Sequence, residues 1–313
     1  MRNASSRLVV AAFLSISLIA AACGSDTDTA TTESVPTAPI TVDVYGTPFT
    51  IGARPERIVS LSPSATEGLF AIGAGPQVIA VDDASDFPAE APTTTLSGVT
   101  PNVEAIVAFD PDLVVVSFNP SDLIASLEAA GIPVLLLDAA VDLDDVMRQL
   151  EILGAVTGNL DTAYEVVMDL EARISVAVAA TPELAEPLTY FHLLDETLFT
   201  VTSSTFVGSV YGLFGLVNVA DAADPDGSAF GFPQLSAEFL VDADPDLVFL
   251  ANGDVASFRE LEVLGQLRAV EDGAVIELLP DVSSRWGPRV VDFVEQIASA
   301  MTRLAAGMLV LVR

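Results

Sequence analysis

The chain has 313 residues, of which 51% are hydrophobic, and this length and composition allow two packed domains and exclude wholesale disorder. Its formal charge of -32 argues against nucleic acid as a partner, because phosphate backbones bind basic surfaces. All 12 basic residues are arginine, and the absence of lysine excludes both a Schiff-base lysine and a phosphate-binding P-loop.

The first 22 residues have the pattern of an export signal. Arg2 and Arg7 precede an apolar run from Leu8 to Ala22. This run is too short to cross a membrane, since a spanning helix needs about 20 apolar residues. Residues 1–22 are therefore predicted to be a signal peptide that directs the protein out of the cytoplasm.

Cys23 is the only cysteine and directly follows the apolar run. Together with Ala21, Ala22 and Gly24 it resembles a bacterial lipoprotein cleavage site, in which the new N-terminal cysteine is lipidated. Residues 23–39 are thus predicted to be a lipidated cysteine and a flexible tether rich in Thr, Ser, Asp and Pro, holding the protein at the outer face of a membrane. The alternative is ordinary signal-peptide cleavage after Ala22, without an anchor.

Residues 40–158 alternate short apolar strands with helices and are predicted to form an N-terminal lobe. Strands that are apolar on both faces are typical of a parallel sheet covered on both sides. Strands are predicted at 42–44, 49–51, 58–61, 78–81, 134–137 and from residue 113 onward. Helices are predicted at 64–71, with Ser64 as the N-cap, and at 121–130, where Gly131 ends the helix.

Residues 142–180 have helical periodicity that breaks around 154–158, and the second helix of this segment is long. It ends before Pro182, so residues 159–182 are predicted to connect two lobes. The C-terminal lobe, residues 183–313, is predicted to contain strands at 190–194, 199–201, 275–279 and from residue 247 onward, with helices at 258–270 and 290–306. The sequence therefore predicts an α/β fold of two lobes with mainly parallel sheets joined by one long connecting helix.

An internal repeat links the two lobes. Residues 104–116 have the sequence EAIVAFDPDLVVV and residues 238–250 have EFLVDADPDLVFL, at an offset of 134 residues. Each copy predicts a short helix that stops before a proline, followed by a buried strand. Asn102 and Ser236 are suitable N-caps, which places Glu104 and Glu238 at equivalent positions in the first helical turn.

Five segments resemble the substrate-binding proteins of bacterial ABC importers for iron-siderophores, haem and cobalamin, over residues 54–306. They are RIVSLSPSATE at 57–67, SDFP at 85–88, NVEAIVAFDPDLVV at 102–115, FPQLSAE at 232–238 and RWGPRVVD at 285–292. The resemblance implies that a ligand is held between two lobes with limited hinge motion. It also implies a protein that performs no chemistry and needs no cofactor, but delivers a chelated metal compound to an ABC permease with its ATPase.

In this family a glutamate on each lobe docks against arginines of the permease, and the matching positions here are Glu104 and Glu238. A first-turn glutamate also gains about 0.3–1 kcal/mol from the helix dipole without any partner. Two such residues at equivalent positions of a repeat favour docking over the dipole alone.

For the ligand, the resemblance points to Arg285, Trp286 and Phe232. Arg285 matches a pocket arginine of the cobalamin binders, and Phe232 lies where those proteins have an aromatic residue before Pro-Gln. An arginine among aromatic rings suits a carboxylate or phosphate on a bulky, flat or chelated ligand. The alternative is a surface arginine beside a core tryptophan.

Ser62, Ser64 and Thr205 are predicted to begin helices that face the cleft, where free backbone N–H groups could hold ligand oxygens. Simple helix capping is the alternative and is ranked first. Two departures from the cobalamin binders argue against cobalamin itself. Ala84 replaces a ligand-facing aromatic residue and Gly98 replaces a tryptophan, so ferric siderophore and haem stay open.

Three other classes of protein compete with this interpretation. Binding proteins for bare zinc or manganese use several histidines, whereas this chain has His192 alone, which favours a core or surface role and no metal site. A secreted hydrolase would need a nucleophile and a base, and the chain has no Gly-x-Ser-x-Gly elbow. A sensory or adhesive lipoprotein with the same fold is not separable from an importer component by sequence.

Overall fold

The computed structural model describes residues 38–182, 185–261, 263–279 and 281–306. The predicted signal peptide, Cys23 and the predicted tether up to residue 37 lie outside the described residues. A hairpin comes first, in which strands β1 (Ile40–Val44) and β2 (Thr47–Ile51) pair antiparallel, as predicted. Its two-residue turn needs positive φ angles, and Gly46 adopts a φ of 86° without steric cost.

The N-terminal lobe is built around a four-stranded parallel sheet. Its strands are β3 (Ile58–Leu61), β4 (Val78–Val81), β5 (Leu113–Val116) and β6 (Val134–Leu136), in the order β4-β3-β5-β6. The accompanying helices are α1 (Pro63–Ala71), α2 (Val103–Val107) and α3 (Leu123–Ala129). Alternate residues of β5 enter hydrophobic clusters on opposite faces of the sheet, which explains why the strand is apolar throughout.

Two helices then lead out of this lobe. Helix α4 (Leu143–Thr157) is separated from α5 (Leu160–Ala180) by Gly158 and Asn159 alone. Gly158 has a φ of 72°, and the Asn159 side-chain amide donates to Gln77 Oε1 at 3.1 Å, so the break is fixed by local contacts. Helix α5 lies within the predicted connector 159–182. The break between the two helices covers two residues and is narrower than the predicted interruption at 154–158.

The C-terminal lobe repeats the first topology. Its strands are β7 (Thr189–Leu193), β8 (Val217–Asn218), β9 (Leu247–Leu250) and β10 (Val275–Glu277), all parallel and ordered β10-β9-β7-β8. Its helices are α6 (Phe206–Gly212), α7 (Ala237–Ala243), α8 (Val255–Glu260), α9 (Arg268–Glu271) and α10 (Val290–Ala305). Counted in chain order, each sheet has the strand order 2-1-3-4, so β9 takes the position of β5.

One hydrophobic cluster runs through both lobes. Helix α5 packs against α4 and α10, and the cluster includes Leu150 of α4, Leu170 of α5 and Ile297 of α10. The predicted two-lobe α/β fold with one long connecting helix is therefore present, and the lobe boundaries 40–158 and 183–313 stay predictions. Among the described helices, none combines the length and the apolar character that a membrane span requires.

Several predicted elements were wrong in detail. Helix α1 begins at Pro63 with Ser62, not Ser64, as its N-cap. The helix predicted from residue 121 begins at Leu123, because Ser121 and Asp122 adopt positive φ angles of 52° and 57°. Of the predicted strand 199–201, the structure contains only an isolated bridge between Phe199 and Gln234. The predicted helix 258–270 is two short helices, α8 and α9, separated by a 3-10 turn.

Candidate ligand-binding site

A cavity of about 280 Å³ lies between the lobes and is called the interlobe cavity here. It is lined by Ala139, Ala140, Val141, Leu194, Val201, Ser204, Thr205, Phe206, Val207, Phe230, Phe232, Ser284 and Trp286. Residues 139–141 follow β6 of the N-terminal lobe, and the others belong to the C-terminal lobe. None of these lining side chains is charged, so the cavity offers apolar surface, aromatic rings and a few hydroxyl groups.

Three of the predicted ligand-binding residues, Phe232, Trp286 and Thr205, lie together in this lining. Phe232 is half exposed, and the neighbouring Phe230 is 88% exposed, although a large apolar side chain usually avoids water. Trp286 is partly buried and packs against the hydrophobic core. Exposed aromatic rings around a concave apolar surface are typical of a site for a bulky ligand.

Thr205 is held in place by local contacts. Its hydroxyl accepts a hydrogen bond from Gly208 N at 3.1 Å as the N-cap of α6, and donates one to the Thr202 carbonyl at 2.9 Å. A Cβ at Gly208 would lie 2.2 Å from the Thr202 oxygen, so only glycine permits this tight turn into the helix. The loop that supplies Ser204 and Thr205 to the cavity is therefore held by local hydrogen bonds and a close backbone contact.

Ser62 and Ser64 do not line the interlobe cavity. Ser62 accepts a hydrogen bond from Ala65 N at 3.3 Å as the N-cap of α1, and both serines are buried. Capping, the preferred interpretation for these helix starts, is thus confirmed for Ser62 and Thr205. Ligand contact by these residues stays a prediction.

Arg285 is sequestered by protein groups. Its Nη1 donates to Glu67 Oε1 at 3.0 Å and to Asp86 Oδ1 at 2.8 Å, and its Nη2 donates to the Ala84 carbonyl at 3.0 Å. Asp281 lies 3.3 Å from the same Nη2. The side chain is only 10% exposed, and it is absent from the cavity lining although Trp286 is the next residue. Its predicted ligand contact stays a prediction.

Glu67 joins two arginines across the lobes. It belongs to α1 of the N-terminal lobe, and its side chain is 1% exposed. Arg289 of the C-terminal lobe donates to Glu67 from Nε at 2.9 Å and from Nη2 at 2.5 Å, and its guanidinium lies 4.2 Å from the centre of the Phe87 ring. Glu67, Asp86, Asp281, Arg285 and Arg289 are called the interlobe ion-pair cluster.

The sequence contained a signal for this cluster that residue-by-residue reasoning missed. Glu67 ends the segment RIVSLSPSATE and Arg289 lies within RWGPRVVD, two of the segments that carry the family resemblance. Buried charged residues are found in proteins almost only as partners of one another. Phe230 and Val141 were also missed, because nothing in their local pattern separates a cavity rim from an ordinary loop.

Of the two departures from the cobalamin binders, Gly98 has a structural explanation, whereas the contact at Ala84 uses its backbone and would be open to any residue type. The Ala84 carbonyl accepts from Arg285. A Cβ at Gly98 would lie 2.6 Å from Asp82 Oδ2 and 2.8 Å from the Leu61 carbonyl oxygen, so no side chain fits there. Asp82 is nearly inaccessible, burial raises its pKa, and Ser85 Oγ donates to it at 2.5 Å.

His192 is a core residue. Its ring is fully buried on β7, Nδ1 lies 2.8 Å from Tyr211 Oη, and burial lowers the pKa of His192 to about 3. The imidazole is therefore neutral at physiological pH. In the described part of the chain, no three His, Cys, Asp or Glu residues are grouped so that they could hold a metal ion.

Glu104 and Glu238 are both exposed, one on each lobe. Asn102 caps α2 by accepting from Ala105 N at 3.0 Å, and Ser236 caps α7 by accepting from Phe239 N at 3.2 Å. Hydrogen bonds from the Glu238 backbone and the Ser236 side chain lower the pKa of Glu238, which is therefore ionised at neutral pH. The structure thus presents one carboxylate per lobe at equivalent positions, and permease docking stays a prediction.

Comparison with known proteins identifies the family. Residues 58–282 match the description of a periplasmic binding protein. The chain belongs to the periplasmic binding protein family. At this level the expected family is confirmed, and the protein is an extracytoplasmic binding protein like its relatives, whereas the lipid anchor at Cys23 stays a prediction.

Three relatives of this periplasmic binding protein show how far the similarity extends. The cobalamin-binding protein of Halobacterium salinarum is 30% identical over 272 residues, covering 82% of this chain and 72% of the relative. The uncharacterised ABC transporter substrate-binding lipoprotein YvrC of Bacillus subtilis is 28% identical over 305 residues, covering 93% and 95%. The crystal structure of the periplasmic vitamin B12 binding protein BtuF of Vibrio cholerae superposes with a TM-score of 0.69 at 27% identity, covering 81% and 98%.

Proposed function

We propose that this periplasmic binding protein is a lipid-anchored substrate-binding protein that captures a chelated metal compound and delivers it to an ABC permease with its ATPase. The candidate ligands are a corrinoid, a ferric siderophore and haem. The observation that carries the proposal is the interlobe cavity, in which exposed aromatic rings surround an uncharged concave surface. Such a surface binds a bulky ligand by burying apolar area.

The names of the relatives favour the corrinoid among these ligands. Two of the three proteins compared above are named for binding cobalamin or vitamin B12. The absence of a side chain at Gly98 follows from the buried Asp82 behind it, so this departure is an adaptation of the packing and does not by itself exclude a corrinoid.

Capture without chemistry is the function that the cavity residues support. Ser204, Thr205 and Ser284 are the hydroxyl groups of the lining, and none of the described lining residues is a histidine, carboxylate or lysine that could activate them. His192 is buried in the core with its Nδ1 hydrogen-bonded to Tyr211. The proposal is therefore a binding protein and not a hydrolase.

Delivery to a permease is supported by the way both lobes are built. Helices α2 and α7 each run back from the carboxyl edge of a parallel sheet, because each precedes a strand of that sheet. Their first turns, with Glu104 and Glu238, therefore lie at the same sheet edge as the loops that form the cavity. A permease that contacts both carboxylates would sense the separation of the lobes.

The ligand is identified by titrating the mature protein with cyanocobalamin, ferric siderophores and haemin. Trp286 is the only tryptophan and lines the cavity, so ligand binding should quench its fluorescence. Because these ligands also absorb light, equilibrium dialysis with metal analysis provides the independent measurement, and free N-acetyltryptophanamide corrects for the absorption. Retention of one ligand class supports the proposal; failure to retain any of them would contradict it and favour a sensory protein without cargo.

A further inference from the structure

The described lining of the interlobe cavity contains no charged side chain, which restricts the part of a ligand that it can bury. Its 13 lining residues are aliphatic, aromatic or hydroxyl-bearing. A carboxylate or catecholate oxygen that loses water there would find no cation, and an unpaired buried charge is strongly disfavoured. Hydrocarbon groups meet no such penalty, and amide or hydroxamate groups without net charge meet a smaller one, because an uncharged polar group costs less to bury than an ion.

Arg285 does not supply the missing cation. Its guanidinium is shared among Glu67, Asp86, Asp281 and the Ala84 carbonyl, and it is 10% exposed. The interlobe ion-pair cluster contains three carboxylates and two guanidinium groups, so an anionic ligand group would have to displace a carboxylate that is already paired. Arg285, which lies in the chain between the lining residues Ser284 and Trp286, therefore holds the lobes together and does not attract anions.

The described lining residues also lack any side chain that could bind a metal ion as an axial ligand. Haem iron in proteins is held by histidine, cysteine, methionine or tyrosine, and none of these lines the cavity. His192 is fully buried with Nδ1 hydrogen-bonded to Tyr211. A chelate that enters this cavity must bring a complete set of metal ligands with it.

The charge of the whole chain acts in the same direction. Removal of residues 1–22 takes away Arg2 and Arg7 and leaves 10 basic and 44 acidic residues, from the 12 and 44 of the full sequence. Such a surface repels polyanions at a distance and attracts cations.

From these observations we infer that the interlobe cavity selects chelates whose buried face is uncharged and whose metal ion is already fully coordinated. Corrinoids and hydroxamate siderophores have this chemistry, whereas haem and catecholate siderophores do not. The inference rests on the proposed function and narrows its ligand class. It assigns Val141, Phe230, Phe232 and Trp286 to ligand contact and makes Arg285 a positioning residue.

The test compares four probes on the mature protein by isothermal titration calorimetry at low and high salt. Cyanocobalamin and ferrioxamine B represent chelates with an uncharged or cationic face, and ferric enterobactin and haemin represent anionic chelates. At least one of the first two should bind at least 100-fold more tightly than either anionic probe. Its affinity should change less than threefold with salt if the contacts are apolar.

A designed cation provides the second arm. Val141 is 61% exposed at the cavity rim, so Val141→Arg can be accommodated without repacking the core. Val141→Gln is the matched control, with a polar side chain and no charge. We expect Val141→Arg to bind ferric enterobactin or haemin at least tenfold more tightly than Val141→Gln, because it provides the missing partner for an anion.

The outcomes separate the inference from the proposed function. Tight binding of ferric enterobactin or haemin by the native protein would overturn the charge selection and leave the capture function standing. No gain from Val141→Arg over Val141→Gln would also overturn it, since charge would then not be what excludes anions. No binding of any probe would overturn the proposed function and the inference together.

Discussion

The two lobes are alike where they face solvent and different where they face each other. Their exposed first-turn glutamates, Glu104 and Glu238, follow equivalent N-caps. Within each copy of the repeat, the second aspartate of Asp-Pro-Asp fixes the start of a neighbouring strand of the same sheet, β3 or β7. Asp112 accepts from Glu56 N and Arg57 N at 2.8 and 2.9 Å, and Asp246 accepts from Thr189 N and Oγ1 at 2.9 Å.

In the two sheets and in the cavity, the equivalent positions of the two lobes carry different residues. Ser60 of β3 and His192 of β7 occupy the same register, paired with Val115 and Phe249 respectively. Ser60 accepts from Thr66 at 2.8 Å, whereas His192 belongs to an aromatic group with Tyr211, and the C-terminal lobe supplies all the aromatic rings of the cavity. This division is expected if a permease contacts both lobes in the same way while a ligand contacts each lobe differently.

The largest effect should come from breaking the contact between the lobes. Glu67→Gln leaves Arg285 and Arg289 buried without their shared carboxylate, which should lower the free energy of unfolding by about 3–5 kcal/mol. Urea denaturation measures this. Glu295→Gln is the control, because the pair of Glu295 with Arg173 is exposed and should cost no more than about 1 kcal/mol. Equal losses for the two variants would show that the lobes do not depend on Glu67.

Removing the two exposed glutamates that the lobes share, Glu104 and Glu238, should strongly reduce ligand uptake. The double variant Glu104→Gln with Glu238→Gln removes both carboxylates that are predicted to dock on the permease, while the N-caps Asn102 and Ser236 stay in place. Truncation of one partner of a desolvated charge pair costs about 2–5 kcal/mol, so ligand uptake by cells should fall more than tenfold with unchanged ligand affinity.

The matched control for docking uses Asp144 and Asp161, which are exposed acids in the first turns of α4 and α5. The double variant Asp144→Asn with Asp161→Asn removes the same charge from helix starts that are not part of the repeat. If this variant and the glutamate variant reduced uptake equally, total charge and not specific docking would be responsible.

The aromatic rings that the C-terminal lobe supplies to the cavity should determine ligand affinity. Phe232→Ala removes a half-exposed ring of the C-terminal lobe that a ligand would cover, and should weaken binding by about 1.5 kcal/mol, or roughly tenfold. Phe118→Ala removes a ring of similar exposure from the N-terminal lobe, outside the cavity lining, and should change affinity little. Calorimetric titration of both variants decides whether the C-terminal rings dominate binding.

The smallest effect should be a change in how the free energy of unfolding depends on pH. At the equivalent positions of the two sheets, only the C-terminal lobe has a titratable residue, His192, whereas the N-terminal lobe has Ser60. The pKa of His192 falls from 6.5 to about 3 on folding, so the unfolded chain binds the extra proton between these values. The contribution of His192 to the free energy of unfolding is complete above pH 6.5. It is lost, by at most about 1.4 kcal/mol per pH unit, as the pH falls towards 3.

His192→Gln should therefore flatten the fall in the free energy of unfolding between pH 6.5 and 5, whereas Ser60→Ala should leave that slope unchanged. Denaturation at several pH values measures both variants. An unaltered slope for His192→Gln would mean that the imidazole is protonated within the folded core.

Local patterns were sufficient for much of the fold. The strands at 58–61 and 78–81 were predicted with the bounds that the structure has, because each run begins within three residues of a proline and ends before a polar residue. The repeat also located α2, α7 and the starts of β5 and β9. The prediction of a strand at 199–201 was wrong. The alternation of apolar and polar residues there is typical of a strand, but the backbone forms only one isolated bridge, at Phe199.

Among the site residues that line the cavity, Phe232 and Trp286 were found because they lie in segments that carry the family resemblance, and Thr205 was found because it was predicted to begin a helix. The partners of Arg285 could not be assigned in this way. Glu67 is 218 residues away in the chain, and no pattern along the sequence specifies which distant carboxylate a guanidinium will contact.

The sequence by itself determined the two-lobe α/β organisation, the equivalence of Glu104 and Glu238, and their N-caps Asn102 and Ser236, because periodicity, turn chemistry and capping are local properties of neighbouring residues. Tertiary structure alone decided that Arg285 holds the lobes together while Trp286, the next residue, lines the cavity. Two adjacent side chains differ in this way because the path of the backbone after β10, and not residue type, determines which lobe surface each one meets.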